Sequence, residues 1–278
     1  MAPADTEGRQ RRRGARRAAR PPRAAVVRLD LAYDGTPFAG WARQPGRRTV
    51  EGELERALET VLRERVRLRV AGRTDAGVHA LAQVASFSTG VAGLEPRRLR
   101  LALNALLPAE IGVHEVTVAA EGFDARAASA RTYRYRVWLP EARPVFERSC
   151  VWDVRGPVDE DALAGLAGQL VGRRDFAALT PSARLYHSCV REVLRAVWCR
   201  DASGREVVFE ITAGSFLHKM VRVAVGTMVD VAQGRLTPEE VAVGLASGER
   251  RRLGRTAPAC GLALVAVEYE AAGGGTTC

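Results

Sequence analysis

Lysine is almost missing from this chain: Lys219 is the only one among 278 residues, and arginine carries nearly all of the positive charge. Cysteine is sparse and unpatterned. Cys150, Cys189, Cys199, Cys260 and Cys278 are odd in number and never form a CxxC spacing, which argues against a disulfide framework and against a zinc knuckle. The four histidines, His79, His114, His187 and His218, show no ligand spacing and have no cysteines beside them, so no metal is expected. No apolar run approaches the roughly 18 residues that a membrane span needs. The first residues have no apolar core suited to a secretory signal, and no Walker loop or GxGxxG motif occurs. These absences leave an ordinary soluble protein of the cytoplasm, without membrane contact, and long enough for one large or two medium domains.

What is present begins with charge. The formal net charge is +10, and residues 1–23 alone hold eight arginines against Asp5 and Glu7, a net of +6. With Pro21 and Pro22 at its end and few apolar residues beyond alanine, this run is expected to be a disordered tail over residues 1–25. It either attracts phosphate nonspecifically or reflects the Arg, Ala and Gly bias of the whole chain.

From residue 26 the hydropathy pattern is regular. Val27, Leu29, Leu31 and Tyr33 alternate with polar residues as in a half-buried strand. The stripe Leu54, Ala57, Leu58, Val61, Leu62 marks an amphipathic helix entered from Thr49. Strands are expected at 66–70 and 81–88, a helix opened by Pro96, and a strand at 111–118, giving βαββαβ. The second half repeats this order: a strand at 132–138, a helix at 159–170, a hairpin at 190–212 turning at 201–204, a helix at 216–231, another capped by Thr237 and Glu240, and a last strand at 262–269. The fold class is therefore α+β, two βαββαβ-like halves with antiparallel sheets meeting at a central cleft. The halves divide at 26–125 and 126–270, and 271–278 is a flexible C-terminus. A cleft between two such halves suits a ligand.

The stretch 72–83, GRTDAGVHALAQ, joins two strand-like runs through a loop with two glycines and sets Arg73 and Asp75 one residue apart. Gly72 and Gly77 would permit backbone angles that let Asp75 stand at a tight bend. On its own, an aspartate in such a turn either bonds its own backbone, caps a helix or is presented to a ligand.

GRTDAGVHA, together with YDGTPFAGW at 33–41, RTYRYRV at 131–137 and FLHKMVR at 216–222, resembles the TruA family of tRNA pseudouridine synthases, and the motifs recur in that family's order. The resemblance implies a cofactor-free isomerase acting on uridines in the anticodon stem-loop of tRNA, as a homodimer, with Asp75 as the catalytic carboxylate. Breaking the C1′ to N1 bond, turning the base and joining C5 to C1′ needs one carboxylate, a grip on the detached base and an unstacked nucleotide. A carboxylate in a dry pocket tends to take up a proton unless a guanidinium favours the charged form, so an arginine is expected close to Asp75.

Arg222 is the candidate, because it sits in the apolar helix 216–231 and a guanidinium there needs a partner. Its alternatives are to reach water or to pair with Asp230. The resemblance makes it the salt-bridge partner of Asp75. For Tyr133, which could simply be core, it implies packing on the target base and help in deprotonating C5. For Arg73, otherwise a surface charge, it implies helping the nucleotide out of its stack or holding phosphate. Phe38, Trp41 and Gln44 resemble an aromatic loop near the family's active site, although Ala42 stands where that loop usually has glutamine. Two rival functions stay open: an RNA-binding module without catalysis, and a nucleosidase releasing free base, for which a carboxylate pair at suitable spacing is not evident.

Overall fold

The structure, a computed structural model, describes residues 25–140 and 142–270. The expected flexible C-terminus and the expected arginine-rich tail up to residue 24 lie outside the described residues, whereas Ala25, expected in the tail, opens the first strand. The elements follow as β1 (Ala25–Tyr33), α1 (Val50–Leu62), β2 (Arg69–Val70), β3 (His79–Thr89), α2 (Pro96–Leu106), β4 (Ile111–Ala119), β5 (Ala130–Trp138), β6 (Trp152–Asp153), α3 (Glu160–Gly168), β7 (Gly172–Asp175), β8 (Val190–Arg200), β9 (Glu206–Ala213), α4 (Met220–Ala232), α5 (Pro238–Ser247) and β10 (Leu262–Glu268). Among the described residues no helix is long and apolar enough to cross a membrane.

The α+β class holds, and the repeated element order is also a repeated topology. In the first half β4, β1, β3 and β2 are neighbours in that order; in the second, β10, β5, β9 and β8 are. The pairs inside each set are antiparallel. The two sets join edge to edge into one sheet through β3 and β10, which run parallel and match only Ala263 with His79 and Leu264 with Ala80. This seam is short because β2 occupies the far end of the same β3 edge, opposite Ala85 and Ser86.

Alternation along the strands sets the two faces. Val27, Leu29, Leu31 and Tyr33 of β1 and Tyr133, Tyr135 and Val137 of β5 are buried in one cluster with the apolar sides of the helices. Burying each such side chain fully contributes about 1.5–3 kcal/mol. The even positions of β5 carry charge on the other face, where Arg134 pairs with Glu210 and Arg136 with Glu206. Capping follows the sequence. Thr49 accepts from the Gly52 amide at the start of α1, and Thr237 and Glu240 form a reciprocal capping box at α5.

Three local expectations need correction. Exposure does alternate over residues 66–70, but only Arg69 and Val70 pair with β3, since alternation reports a buried face and not a ladder partner. The helix expected from residue 216 starts at Met220, because Lys219 has a left-handed φ of 60° and the chain turns at His218 and Lys219. Of the two loop glycines, only Gly77 has a positive φ, 76°. Gly72 instead sits close to Tyr133: a Cβ there would come 3.3 Å from the Tyr133 hydroxyl, tighter than ordinary contact.

Candidate active site

The GRTD loop leaves β2 after one further backbone bond, Ala71 N–H to Val84 O, and crosses towards the seam. Its backbone is pinned from the first half. Trp41 N–H donates to Thr74 O at 3.0 Å, and the Thr74 hydroxyl shares a 2.8 Å hydrogen bond with the Tyr33 hydroxyl. Gln83 donates both to Tyr33 and to Gly72 O, at 3.1 and 2.7 Å. Burial pushes the Tyr33 phenol up to about 12, against the lowering effect of its bonds to Thr74 and Gln83, so it acts here as a neutral tie. Phe38 and Trp41 are buried beneath the loop, at 3% and 0% exposure. They support the loop from inside the core. Gln44 is exposed and donates to Ala39 O.

Asp75 is thereby held over the seam, its side chain about a quarter exposed at 24%. Arg222 comes from the other half. Every residue of α4 is buried except Arg222. Its Nη1 donates to Asp75 Oδ2 at 3.0 Å, and its Nε donates to Ala257 O at 2.9 Å, which fixes the guanidinium in place. The close approach of the 254–257 segment to α4 depends on Gly226, where a Cβ would lie 1.9 Å from Arg255 O. Asp230, the alternative partner for Arg222, is instead taken by Arg255 and Arg235.

Tyr133 lies on the same face of the sheet, buried at 7% exposure, with its ring edge-on to Phe216 at 5.1 Å. Burial raises its phenol well above the ordinary tyrosine range, with Tyr33 and Asp75 adding to the effect. Among the described residues its hydroxyl has no hydrogen-bond partner. Arg73 is exposed and likewise without a partner among the described residues. Asp75, Arg222 and Tyr133 are therefore brought together, with Arg73 two residues along the same loop.

Two neighbours were not singled out as site residues from sequence. His218 places Nε2 3.5 Å from Asp75 Oδ1. Its signal was its spacing, four residues before Arg222 in the same motif. Arg131 is buried and has no acidic partner among the described residues; it donates to Ala71 O, Ala128 O, Gly214 O and Arg126 O at 2.6–2.9 Å. It thus ties the start of the Asp75 loop to the start of the segment that delivers Arg222. The signal was an arginine in phase with Tyr133, Tyr135 and Val137 on the buried side of β5. The described residues include no group of three or more histidine, cysteine or acidic side chains placed to hold a metal. A cavity of about 480 Å³ lies elsewhere, on the Arg134 and Arg136 face of the sheet, and includes none of Asp75, Arg222 and Tyr133.

An α+β fold with an arginine-partnered aspartate at its seam suits an enzyme that works through a lone acid, and comparison with known proteins narrows the class. The family profile for tRNA pseudouridine synthase matches residues 31–126 and 166–270. The tRNA pseudouridine synthase A of Solidesulfovibrio magneticus is 44% identical over 259 residues, 90% of this chain and 93% of that protein. Those of Pelobacter propionicus and Moorella thermoacetica are 41% and 40% identical, covering 88% and 87% of this chain and 99% of each relative. The chain belongs to the tRNA pseudouridine synthase family and is an isomerase.

Proposed function

We propose that this enzyme converts uridine to pseudouridine in the anticodon stem-loop of tRNA, with Asp75 as the reacting carboxylate and Arg222 as the cation that pairs with it and holds it in place. The observation that carries this reading is the 3.0 Å contact between two side chains 147 residues apart, one from each half of the topology. The reaction balances without an oxidant or cofactor. The C1′ to N1 bond breaks, N1 gains a proton, C5 forms a bond to C1′ and then gives up its hydrogen. Asp75 acts on the nucleoside, and the detached base is held against Tyr133 and Phe216. Tyr133 enters as a neutral phenol because of its burial, so it can take the C5 proton only while passing on its own. Arg73, exposed and unpaired among the described residues, would hold phosphate or fill the gap left by the everted nucleotide. We read residues 26–125 as the half that supplies the acid and 126–270 as the half that supplies the cation and the base platform. Family likeness adds a cytoplasmic homodimer gripping one RNA.

The test is direct. Purified protein is incubated with unmodified tRNA transcript in the presence of a chelator, and pseudouridine is mapped. New pseudouridine confined to the anticodon stem-loop is expected. Modification only elsewhere in the tRNA would contradict the target, and release of free uracil would show a nucleosidase.

A further inference from the structure

Arg222 accounts for only one oxygen of the Asp75 carboxylate. The other, Oδ1, faces His218 Nε2 at 3.5 Å. That is at the outer limit of a hydrogen bond, a restraint more than a clamp. His218 itself is more firmly set than its exposed position suggests. Its Nδ1 lies 2.8 Å from Ser182 Oγ, and its backbone N–H donates to the Tyr186 hydroxyl at 2.9 Å. The next residue, Lys219, holds the left-handed φ of 60°, a conformation disfavoured for a residue with a Cβ. Such strain persists where surrounding contacts fix it, and here it turns the chain so that His218 and Arg222 approach Asp75 from its two sides.

The proton positions follow from the partners. A carboxylate oxygen accepts only, so a neutral imidazole facing it must carry its proton on Nε2, which leaves Nδ1 to accept from the Ser182 hydroxyl. The Ser182 hydroxyl then donates to His218 Nδ1, and His218 Nε2–H faces Asp75 Oδ1 across 3.5 Å, near enough to attract the oxygen without bonding it. Arg222 anchors Oδ2 through a guanidinium that is itself fixed on Ala257 O. Oδ1 is the oxygen free to leave its partner.

We propose that His218 is a positioning residue for Asp75: it turns Oδ1 towards the incoming nucleotide and yields it when the nucleotide arrives, while Ser182 fixes the tautomer that makes this contact. This rests on Asp75 being the reacting carboxylate. Loss of the restraint lets the carboxylate rotate about its last bond, and misplacement of a reacting atom by about 1 Å can lower a rate on the order of 100-fold.

The experiment compares wild type, His218→Ala, His218→Gln and Ser182→Ala in single-turnover pseudouridine formation, with the tRNA half-saturation concentration and the thermal midpoint measured alongside. His218→Ala is expected to lower the saturated rate about 10- to 100-fold, with half-saturation and thermal midpoint unmoved. His218→Gln, whose amide can donate to Oδ1, should recover most of the rate, and Ser182→Ala should show a smaller loss of the same kind. A wild-type rate in His218→Ala overturns the proposal, and so does an equal loss in His218→Gln or a loss explained by weaker tRNA binding. An inactive wild type strikes the proposed activity instead. The tautomer decides the positioning claim separately: nitrogen-15 shifts of the His218 ring should show a proton on Nε2 and none on Nδ1, and the reverse assignment overturns it.

Discussion

Two hairpins occupy matching places in the repeated topology and use an aspartate in opposite ways. In the second half β8 and β9 close tightly, and Asp201 is consumed by its own turn. Its carboxylate accepts from the Ser203 hydroxyl and from the amides of Ser203 and Glu206, which hold it well below the usual range, at about 2. In the first half β2 pairs with β3 at only two positions, and the connection opens into a loop over the seam. Asp75 finds its partners in Arg222 and His218, from the other half. An acid bonded to its own backbone is spent locally, whereas one whose partners arrive from distant sequence is held where a substrate can meet it. The helices following the two hairpins differ in the same sense. On α2 the buried residues are Leu99 and Leu103, while α4 is buried throughout except at Arg222.

The contrast can be broken first at Arg222. Arg222→Met should lower single-turnover pseudouridine formation on the order of 10²–10³-fold, the scale of losing one preorganised electrostatic partner. Little change would mean that Asp75 does not depend on the second half. Next is the tie between the halves. Arg131→Met leaves four carbonyl oxygens without their donor, and at about 1–3 kcal/mol for an unsatisfied buried group, discounted for relaxation, a total loss of ~3 kcal/mol is expected in denaturant unfolding. A loss below ~1 kcal/mol would show that the Asp75 loop and the 214–222 segment hold themselves in place.

The smallest effect is alkaline. Burial raises the phenols of Tyr33, to about 12, and of Tyr133 and Tyr135 further. A folded-state value above the unfolded one means that the unfolded chain loses the proton first. Their contribution to stability is therefore intact below the ordinary phenol value of about 10 and is lost as pH rises through and beyond it. Phenolate absorbance from these three should appear together with unfolding. Its appearance in the folded protein near pH 10 would contradict their burial.

Much of this was legible in the sequence because the signals were local. The alternation of Val27 to Tyr33, the stripe from Leu54 to Leu62, the Thr49 cap and the Thr237–Glu240 box each report on residues a few positions apart, and the structure has them all. That Arg222 needs a partner could be anticipated from its place on an apolar helix, while the choice of Asp75 over Asp230 came from the resemblance of the FLHKMVR motif. The seam could not, since a parallel match of two residues leaves no periodicity. β6, also a parallel match of two residues, was missed for the same reason, and β7 because its GRRD sequence has no apolar alternation. The start of α4 was misplaced because apolar spacing does not reveal a left-handed lysine. Arg131 and His218 were within the quoted motifs, but their work is done through contacts across the fold.

The central claim is that Asp75, and not its counterpart Asp201, carries the chemistry. It is tested most directly by measuring tRNA binding and pseudouridine formation for Asp75→Asn and Asp201→Asn side by side. Asp75→Asn should bind tRNA as the wild type does and form no measurable pseudouridine, while Asp201→Asn turns over normally. Wild-type turnover in Asp75→Asn would contradict the account.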